Sequence, residues 1–487
     1  MRQSRNAAAL LALAISAAAC NEPSGPVRTL QLGPCTLPGV RSPAQCGTLH
    51  VPENRNQPNG RTLGIQVIVV PALAASPKAD PVVFLAGGPG QAASQIVGFA
   101  LGVADKLHES RDFVFVDQRG TGHSHALFCE VPPSNAPLYE HFDSQFDPAV
   151  VERCRDAQDA DLTQYTTAVA TQDLEDVRHA LGYPQLNLWG TSYGTRAALA
   201  YMRAYPNNVR SSILDGVAPM ALVLPVSLAK DAERALNQLF VDCAAEQACA
   251  GAFPNLKERF YKFVQTLADE PLRVQVRHPK TGVAEEVVID KATFLGALRG
   301  VLYSAEISTL LPFALNEAMS GRFEPLITLA AELGKSTERT FAVGMFLSVV
   351  CSEDIPFIKP GEIEAAAQNT LFGPQAALDI VRACDYWPKA PVPAAFREPV
   401  QTNLPTLLLS GALDPVTPPS WGELAQASLP NGVHVIVGGT GHNTVSTACA
   451  RRIASQFVED GNPSNLNTEC ASTVVRPPFF PTFAGSP

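Results

Sequence analysis

Positive charge is in short supply in this chain of 487 residues, which has 36 lysines and arginines against 46 aspartates and glutamates. The net charge is -10, and it becomes -12 if Arg2 and Arg5 are removed with a leader segment. Proteins that bind nucleic acids use basic residues to neutralise phosphates. The charge balance therefore excludes nucleic acid as a partner.

The usual sequence patterns of metal and cofactor sites are also missing. The chain has no Cys-x-x-Cys pair and no cluster of histidines, which are the patterns typical of zinc sites. It has neither a phosphate-binding glycine-rich loop with a lysine nor a dinucleotide fingerprint that opens a helix. We therefore expect no metal and no cofactor.

The strongest positive feature is a serine between two glycines. Residues 186–196 read as a short apolar strand, then Gly190, Ser192 and Gly194 in a Gly-x-Ser-x-Gly pattern, then an amphipathic helix. In this context the chain turns so sharply that the serine hydroxyl projects from the sheet edge. The pattern predicts that Ser192 is a nucleophile.

An acid and a histidine follow this serine in the order that such a site needs. Residues 404–411 read as a buried strand followed by a loop with Asp414, and residues 433–437 read as a strand followed by a loop with His442. In a catalytic triad the histidine takes the serine proton, and the acid fixes the histidine tautomer. We predict the triad Ser192, Asp414 and His442.

A second acid is an alternative to Asp414. Asp215 also ends an apolar stretch, residues 211–214, and some hydrolases carry the acid one strand earlier. We favour Asp414, because its loop directly precedes the strand that leads to His442.

A tetrahedral intermediate needs two backbone N–H donors aimed at its oxyanion. The first donor is predicted at Tyr193, directly after the nucleophile. The second is predicted at Gly88, in the glycine-rich loop 86–90 that follows the apolar strand 81–85.

These segments together resemble the prolyl and tripeptidyl aminopeptidase family of α/β-hydrolases. The resemblance rests on the elbow and on residues 46–52, 62–70, 86–90, 113–124 and 411–418. The run 117–124 is the most specific, because general esterases rarely carry it. Ala86 stands where the family usually has a histidine, but the oxyanion donors are backbone groups and do not depend on that side chain.

Asp117 and Arg119, within this specific run, end an apolar strand near the expected catalytic face. These two residues could contact the substrate, or they could form a structural ion pair or stabilise a turn. We favour the structural role and leave both residues out of the catalytic set.

The resemblance implies an α/β-hydrolase fold, a doubly wound and mostly parallel sheet. Asp414 lies 222 positions after Ser192, which is more than the core needs there, so we predict an inserted, mainly helical cap. Apolar residues at helical spacing predict helices at 227–246, 255–269, 291–304, 307–320, 323–335 and 375–387, with a hairpin at 272–277 and 285–289. The predicted division is a signal peptide (1–20), a tether (21–34), the first part of the core (35–220), the cap (221–395) and the second part of the core (396–487). The ends 21–34 and 471–487 are expected to be loosely ordered.

Aminopeptidases bind the free α-ammonium of their substrate, which requires a carboxylate in a nearly closed pocket. Glu353 and Asp354 follow a buried helix pattern in the cap, and related enzymes carry acids at a similar place. We predict that one of them binds the amine, with a solvated helix end as the alternative.

The first twenty residues predict export. A basic start is followed by an apolar run at 9–19, which is too short to span a membrane, and by small residues before Cys20. This resembles a bacterial lipoprotein site, although Ala17 stands where leucine is usual. A lipid on Cys20 would then be the contact with the membrane, in the periplasm or at the cell surface; cleavage without lipidation is the alternative.

Cysteine numbers agree with export. Eleven cysteines are present, and ten remain if Cys20 carries a lipid. Disulfides persist outside the cytoplasm, and neighbouring cysteines suggest which of them pair, although spacing does not determine connectivity. The suggested pairs are Cys35 with Cys46, Cys129 with Cys154, Cys243 with Cys249, Cys351 with Cys384, and Cys449 with Cys470.

Three functions are compatible with these features. The first is an exported serine aminopeptidase, of the prolyl or di- or tripeptidyl type, that acts on small peptides through an acyl-enzyme. The second is an esterase or amidase that uses the same triad on other substrates. The third is a catalytically inactive surface binding protein, against which the complete set of Ser192, Asp414 and His442 argues.

Overall fold

A computed structural model describes residues 29–133, 135–142, 146–334 and 341–482. The predicted signal peptide with Cys20, and the tether up to residue 28, lie outside the described residues. Within the described part of the tether, Gly33 and Pro34 belong to the first strand of the sheet and pair with Cys46 and Gln45.

The centre of the molecule is a nine-stranded sheet with the order β1-β2-β3-β5-β4-β6-β7-β10-β11. The first three strands pair antiparallel, β3 also pairs antiparallel with β5, and all neighbours from β5 to β11 are parallel. The strands are β1 (Gly33–Cys35), β2 (Ala44–Pro52), β3 (Thr62–Val70), β4 (Val82–Leu85), β5 (Phe113–Val116), β6 (Leu186–Thr191), β7 (Val209–Asp215), β10 (Thr406–Gly411) and β11 (Gly432–Val437). A separate hairpin is formed by β8 (Leu272–Arg277) and β9 (Ala284–Ile289).

Helices cover both faces of this sheet. Successive residues of a strand point to opposite faces, and in β4 Val83 and Leu85 belong to one hydrophobic cluster while Val82 and Phe84 belong to another. The first cluster includes residues of α5, α6 and α14, and the second includes residues of α1 and α18. The helices are α1 (Val97–Val103), α2 (Asp105–His108), α3 (Leu138–Phe142), α4 (Pro148–Asp156), α5 (Thr167–Leu181), α6 (Tyr193–Ala204), α7 (Leu228–Ala245), α8 (Gln247–Ala252), α9 (Leu256–Asp269), α10 (Lys291–Val301), α11 (Ala305–Ser308), α12 (Leu311–Ala318), α13 (Glu324–Gly334), α14 (Val343–Glu353), α15 (Glu362–Ala367), α16 (Gln375–Ala383), α17 (Pro419–Gln426), α18 (Ala448–Asp460) and α19 (Cys470–Thr473). The predicted doubly wound, mostly parallel α/β fold is thereby confirmed.

The segment predicted as a cap contributes to two different cores. Helices α7 to α13 and the β8–β9 hairpin share a hydrophobic cluster of their own. Helices α14 and α16, by contrast, place their buried side chains in the cluster on the face of the sheet that α6 covers. The separate core therefore lies in the first two thirds of the predicted cap range.

One predicted helix is divided into two helices in the structure. The pattern predicted a helix over 307–320, but the structure has the short helix α11 and then α12, which begins at Leu311. Ser304 caps α11 by accepting the N–H of Ile307, and Pro312 lies in the first turn of α12. Proline is favoured in a first turn, because the N–H that it lacks has no partner there.

The expectation of a loose end over 471–487 is wrong for its described part, 471–482. Phe479 is buried in the cluster of α7 to α13. Arg476 pairs with Asp242 of α7 at 2.8 Å and donates to Ser308 at 2.7 Å. The chain end therefore packs on the cap segment and stabilises it.

Five disulfide bonds join the cysteine pairs that the spacing suggested, Cys35–Cys46, Cys129–Cys154, Cys243–Cys249, Cys351–Cys384 and Cys449–Cys470. None of the described helices is both long and apolar enough to cross a membrane.

Candidate active site

Ser192 lies in a sharp turn between β6 and α6. Its backbone has φ 57° and ψ -125°, a left-handed conformation that is strained for a residue other than glycine. The flanking glycines are required sterically: a Cβ atom on Gly190 would lie 2.3 Å from the Gly194 carbonyl oxygen, and one on Gly194 would lie 2.0 Å from the Leu85 carbonyl oxygen. The turn therefore has the geometry of a nucleophile elbow.

Asp414 and His442 are joined by a short hydrogen bond. His442 Nδ1 lies 2.7 Å from Asp414 Oδ2, and Asp414 is fully buried. The other carboxylate oxygen accepts the N–H groups of Val416 and Thr417, each at 2.8 Å, and the Thr417 hydroxyl donates to Oδ2 at 2.9 Å. With Nδ1 donating to Asp414, His442 Nε2 is the nitrogen that can accept a proton.

The electrostatics of this pair suit a general base. Burial alone would raise the pKa of Asp414, but His442 and the hydrogen bonds of the loop bring it below its ordinary value. Burial would likewise lower the pKa of His442, but the Asp414 carboxylate outweighs this effect and raises it. Asp414 is therefore ionised at neutral pH and stabilises a protonated His442.

The three predicted triad residues follow the carboxyl ends of β6, β10 and β11, at the same edge of the sheet. Ser192 N–H donates to the Asp215 carbonyl at 2.9 Å, and a Cβ atom on the next residue, Gly216, would lie 3.4 Å from the His442 ring. The Ser192 hydroxyl has no hydrogen bond to another described residue. Bonds between a nucleophile and its base are often long before substrate binds.

The alternative acid, Asp215, has no hydrogen bond with His442 among the described residues. One of its oxygens accepts from the Thr444 hydroxyl at 2.8 Å, and the other is buried without a hydrogen-bond partner among the described residues. Burial raises the pKa of Asp215 to about 6. The geometry favours Asp414 as the partner of the histidine.

The predicted oxyanion loop touches the elbow. A Cβ atom on Gly87 would lie 3.1 Å from the Ser192 Cβ and 3.6 Å from its Oγ, so the absence of a side chain here lets the loop approach the serine. The backbone N–H groups of Gly88 and Tyr193 donate to no acceptor in the described ranges. Both are therefore available to a ligand oxygen, as the prediction requires.

Several neighbours of the site carry no local sequence signal. Arg234 of α7 donates to the carbonyls of Ala412 and Asp414, at 2.8 and 2.5 Å. The Tyr303 carbonyl, two residues after α10, accepts the N–H of His442 at 2.9 Å, and the Tyr303 ring packs edge-on against the imidazole at a centroid distance of 5.3 Å. The segment predicted as a cap thus supports both the acid loop and the histidine.

Glu353 and Asp354, predicted to bind a substrate amine, are fully buried. Asp354 accepts hydrogen bonds from Arg196 at 3.0 and 3.2 Å and from Arg397 at 2.9 Å. Glu353 accepts the N–H and the hydroxyl of Thr167 at 2.6 and 2.7 Å, and burial raises its pKa to about 7. This arrangement favours a structural role for both acids.

Asp117 and Arg119 have structural partners. Asp117 accepts the N–H and hydroxyl of Ser94 at 2.7 and 2.9 Å, next to the oxyanion loop. Arg119 is fully buried and forms two hydrogen bonds with Asp173, at 2.6 and 2.9 Å. These contacts agree with leaving both residues out of the catalytic set.

A family model described as alpha/beta hydrolase fold matches residues 80–448, a span that contains Ser192, Asp414 and His442. Serine protease Hip1 of Mycobacterium tuberculosis is 27% identical over 479 residues, which cover 90% of each chain. Tripeptidyl aminopeptidase of Streptomyces coelicolor is 29% identical over 190 residues, 36% of this chain and 35% of the relative. Carboxylesterase B of Mycobacterium tuberculosis is 31% identical over 248 residues, 47% of each chain.

Proposed function

The chain belongs to the alpha/beta-hydrolase family and is a serine peptidase, and from that premise we propose that it is an exported aminopeptidase. It releases N-terminal residues, as a prolyl or a di- or tripeptidyl enzyme, from small peptides. The observation that carries the proposal is the strained Ser192 at the same sheet edge as the hydrogen-bonded pair Asp414 and His442.

The proposed reaction has two steps. Ser192 Oγ attacks the carbonyl carbon of the scissile bond while His442 Nε2 takes the hydroxyl proton, and the N–H groups of Gly88 and Tyr193 bind the oxyanion. The C–N bond then breaks, and His442 gives its proton to the leaving amine. Water hydrolyses the acyl-enzyme with His442 again acting as the base.

Recognition of the substrate amine is not assigned to Glu353 or Asp354 in this proposal. The oxygens of Asp354 are occupied by Arg196 and Arg397, and those of Glu353 by Thr167. An ammonium would have to displace these partners in a fully buried place, at a cost in desolvation.

An esterase or amidase is the alternative function, and the resemblance to carboxylesterase B over 47% of the chain favours it. The same triad can cleave esters, so the discriminating property is the need for a free N-terminus. Free and N-acetylated amino-acyl, prolyl and tripeptidyl chromogenic amides provide this comparison.

The expected result is that acetylation lowers kcat/KM by at least about 10-fold, because an ammonium held by a charge-assisted hydrogen bond contributes on that scale. Ser192→Ala should abolish turnover, whereas Ser472→Ala, an exposed serine in α19, should behave as wild type. Equal turnover of free and blocked amides would favour the esterase or amidase, and activity that survives in Ser192→Ala would exclude the proposed nucleophile.

Export and lipid attachment at Cys20 are part of the proposal, and the five disulfides support an oxidising compartment. Mass spectrometry of the N-terminal peptide from the native host should find a lipid on Cys20, and Cys20→Ser should release the protein from the membrane fraction. An unmodified N-terminus at Cys20 would instead support ordinary cleavage.

A further inference from the structure

Arg299 is a cationic side chain close to the catalytic histidine. It lies on α10, one turn before Tyr303, and its guanidinium carbon is 5.8 Å from the centre of the Tyr303 ring. Its Nη2 lies 3.4 Å from the Tyr303 hydroxyl. Since the Tyr303 ring packs on His442, Arg299 lies one side chain away from the imidazole.

The charge of Arg299 has no neutralising partner in the described part of the chain. Among the described residues no carboxylate forms an ion pair with Arg299, and its buried Nε has no hydrogen-bond partner. A buried donor without an acceptor is costly, so such a group calls for an explanation. Arg234 and Arg196 also have an unpartnered Nε, but the Nη groups of Arg234 donate to loop carbonyls, and those of Arg196 and Arg397 reach Asp354. Within the described residues Arg299 differs, because its hydrogen bond is to the neutral Tyr303 hydroxyl.

Arg299 lies on the side of the site where the leaving group of the substrate would bind. In the proposed reaction His442 delivers a proton to the departing amine, so the leaving group lies beside the His442 imidazole when the C–N bond breaks. Arg299 belongs to the cap segment and lies against Tyr303, whose ring contacts His442. A guanidinium there can form a paired hydrogen bond with a carboxylate.

We propose that Arg299 binds a carboxylate on the leaving-group side of the scissile bond. The enzyme then prefers substrates whose released portion carries a negative charge close to the cut. Two sources supply that chemistry, the C-terminal carboxylate of a short peptide and an aspartate or glutamate side chain directly after the cut. The inference rests on the proposed function, because it uses His442 as the group that protonates the leaving amine.

Two chromogenic amides with the same N-terminal residues test this inference, one releasing 4-nitroaniline and the other 3-carboxy-4-nitroaniline. Wild type should cleave the carboxylated amide with a kcat/KM about 10-fold to 100-fold higher, mainly through KM. Added salt should reduce this preference. Arg299→Gln should remove the preference, because it lowers kcat/KM for the carboxylated amide more than for the neutral amide, and Arg299→Lys should keep part of it.

Arg322→Gln is the matched control, because Arg322 is an exposed arginine of the same segment and pairs with Glu317. It should retain the wild-type preference. Absence of a preference in wild type, or an equal loss on both amides in a folded Arg299→Gln, would overturn the inference. Lack of turnover of every amide would instead overturn the proposed function, so the two failures are distinguishable.

Peptides separate the two sources of the carboxylate. A short peptide is compared with its C-terminal amide, and an aspartate directly after the cut is compared with an asparagine, each in wild type and in Arg299→Gln. An Arg299-dependent preference in either comparison supports the inference and identifies the source. Arg299-independent cleavage in both comparisons contradicts it.

Discussion

At the scale of single residues, Asp414 and Asp215 show how surroundings separate two similar acids. Asp414 follows β10, and Asp215 is the last residue of the neighbouring strand β7. Asp414 accepts hydrogen bonds on both oxygens and has a lowered pKa, whereas Asp215 has one unpartnered oxygen and a pKa raised to about 6. Only Asp414 is both ionised at neutral pH and bonded to the imidazole of His442.

We therefore predict opposite outcomes for the same substitution at these two acids. Asp414→Asn should lower kcat roughly 10⁴-fold, because an amide that donates to His442 favours the wrong tautomer. Asp215→Asn, the matched control, should keep activity within about 10-fold, since among the described contacts Asp215 has no hydrogen bond with the His442 imidazole and does not set its tautomer. Steady-state kinetics on one chromogenic amide measures both, and a larger loss in Asp215→Asn would reverse the assignment of the acid.

The activity should depend on pH through the protonation of His442. His442 must be neutral to accept a proton, and Asp414 raises its pKa above the ordinary 6.5 in spite of burial. The value of kcat/KM should therefore rise with pH through a midpoint above 6.5, because this profile reports ionisations of the free enzyme.

Glu353 and Asp215 titrate in the same range, with pKa values of about 7 and about 6. The variants Glu353→Gln and Asp215→Asn should keep the acid limb of the profile if His442 causes it. A midpoint below 6.5, or a limb that disappears in Glu353→Gln, would contradict the assignment to His442.

Much of this site could be predicted residue by residue from local pattern. The strand and loop signals around Ser192, Asp414 and His442 predicted residues that the structure places at one sheet edge. Arg234 and Tyr303 could not be found in this way, because their partners Asp414 and His442 lie more than a hundred positions away and no local pattern encodes such contacts. The same limit applies to Glu353 and Asp354, whose partners Thr167 and Arg196 became visible only in the fold.

At the scale of elements, the elbow depends on the contact between α6 and β4. A Cβ atom on Gly194 would lie 2.0 Å from the Leu85 carbonyl oxygen, and neither backbone segment can move without disturbing the sheet. We predict that Gly194→Ala lowers the free energy of unfolding by about 3 kcal/mol or more and abolishes activity.

Gly102→Ala is the control for this substitution. Gly102 lies in α1, and a Cβ atom there would meet nothing within 4 Å. The change should be neutral or stabilising by up to about 1 kcal/mol, because alanine is the better helix former. Urea unfolding compares the two variants, and a Gly194→Ala protein as stable as Gly102→Ala would contradict the close packing at the elbow.

A buried ion cluster joins α14 to α6 and to the segment around Arg397, where the second part of the core begins. Asp354, at the end of α14, holds Arg196 of α6 and Arg397, and both Asp354 and Arg196 are almost completely buried. We predict that Asp354→Asn lowers the free energy of unfolding by about 3 to 5 kcal/mol, since it leaves buried arginines without a counter-charge.

The matched control is Glu286→Gln in β9, which breaks an exposed pair with Arg273. Exposed pairs contribute little, so this change should cost less than about 1 kcal/mol. Unfolding in urea measures both variants. If Asp354→Asn is as stable as Glu286→Gln and loses only affinity for free N-termini, Asp354 binds the substrate amine instead.

Helices and strands were the most predictable elements, because their apolar spacing is local. The strand pattern at 62–70 corresponds to β3, and the helix pattern at 255–269 corresponds to α9 within one residue. The split between α11 and α12 and the docking of 471–482 were not predicted. The split depends on the Ser304 cap and on Pro312, which lie within an apolar pattern. The docking depends on Phe479, which packs into the hydrophobic cluster of α7 to α13, far away in the sequence.

At the scale of the whole molecule, each of the five disulfides joins segments that are close together in the sequence. Four of the five bridges close loops of 6 to 25 residues, and the fifth, Cys351–Cys384, spans 33 and joins α14 to the end of α16. Such short separations are why neighbour pairing predicted the bridges. The division of the predicted cap between two hydrophobic clusters could not be read from the sequence, because apolar helices look alike whichever core they join.

The central claim is that Ser192 is the nucleophile of a serine peptidase, and covalent labelling of the full-length protein tests it most directly. A fluorophosphonate should add one phosphonyl group to the wild type with loss of fluoride, and the modified peptide should contain Ser192. Labelling should vanish in Ser192→Ala and persist in Ser472→Ala. A wild type that takes up no label, or a Ser192→Ala variant that is labelled as fast as the wild type, would contradict the claim.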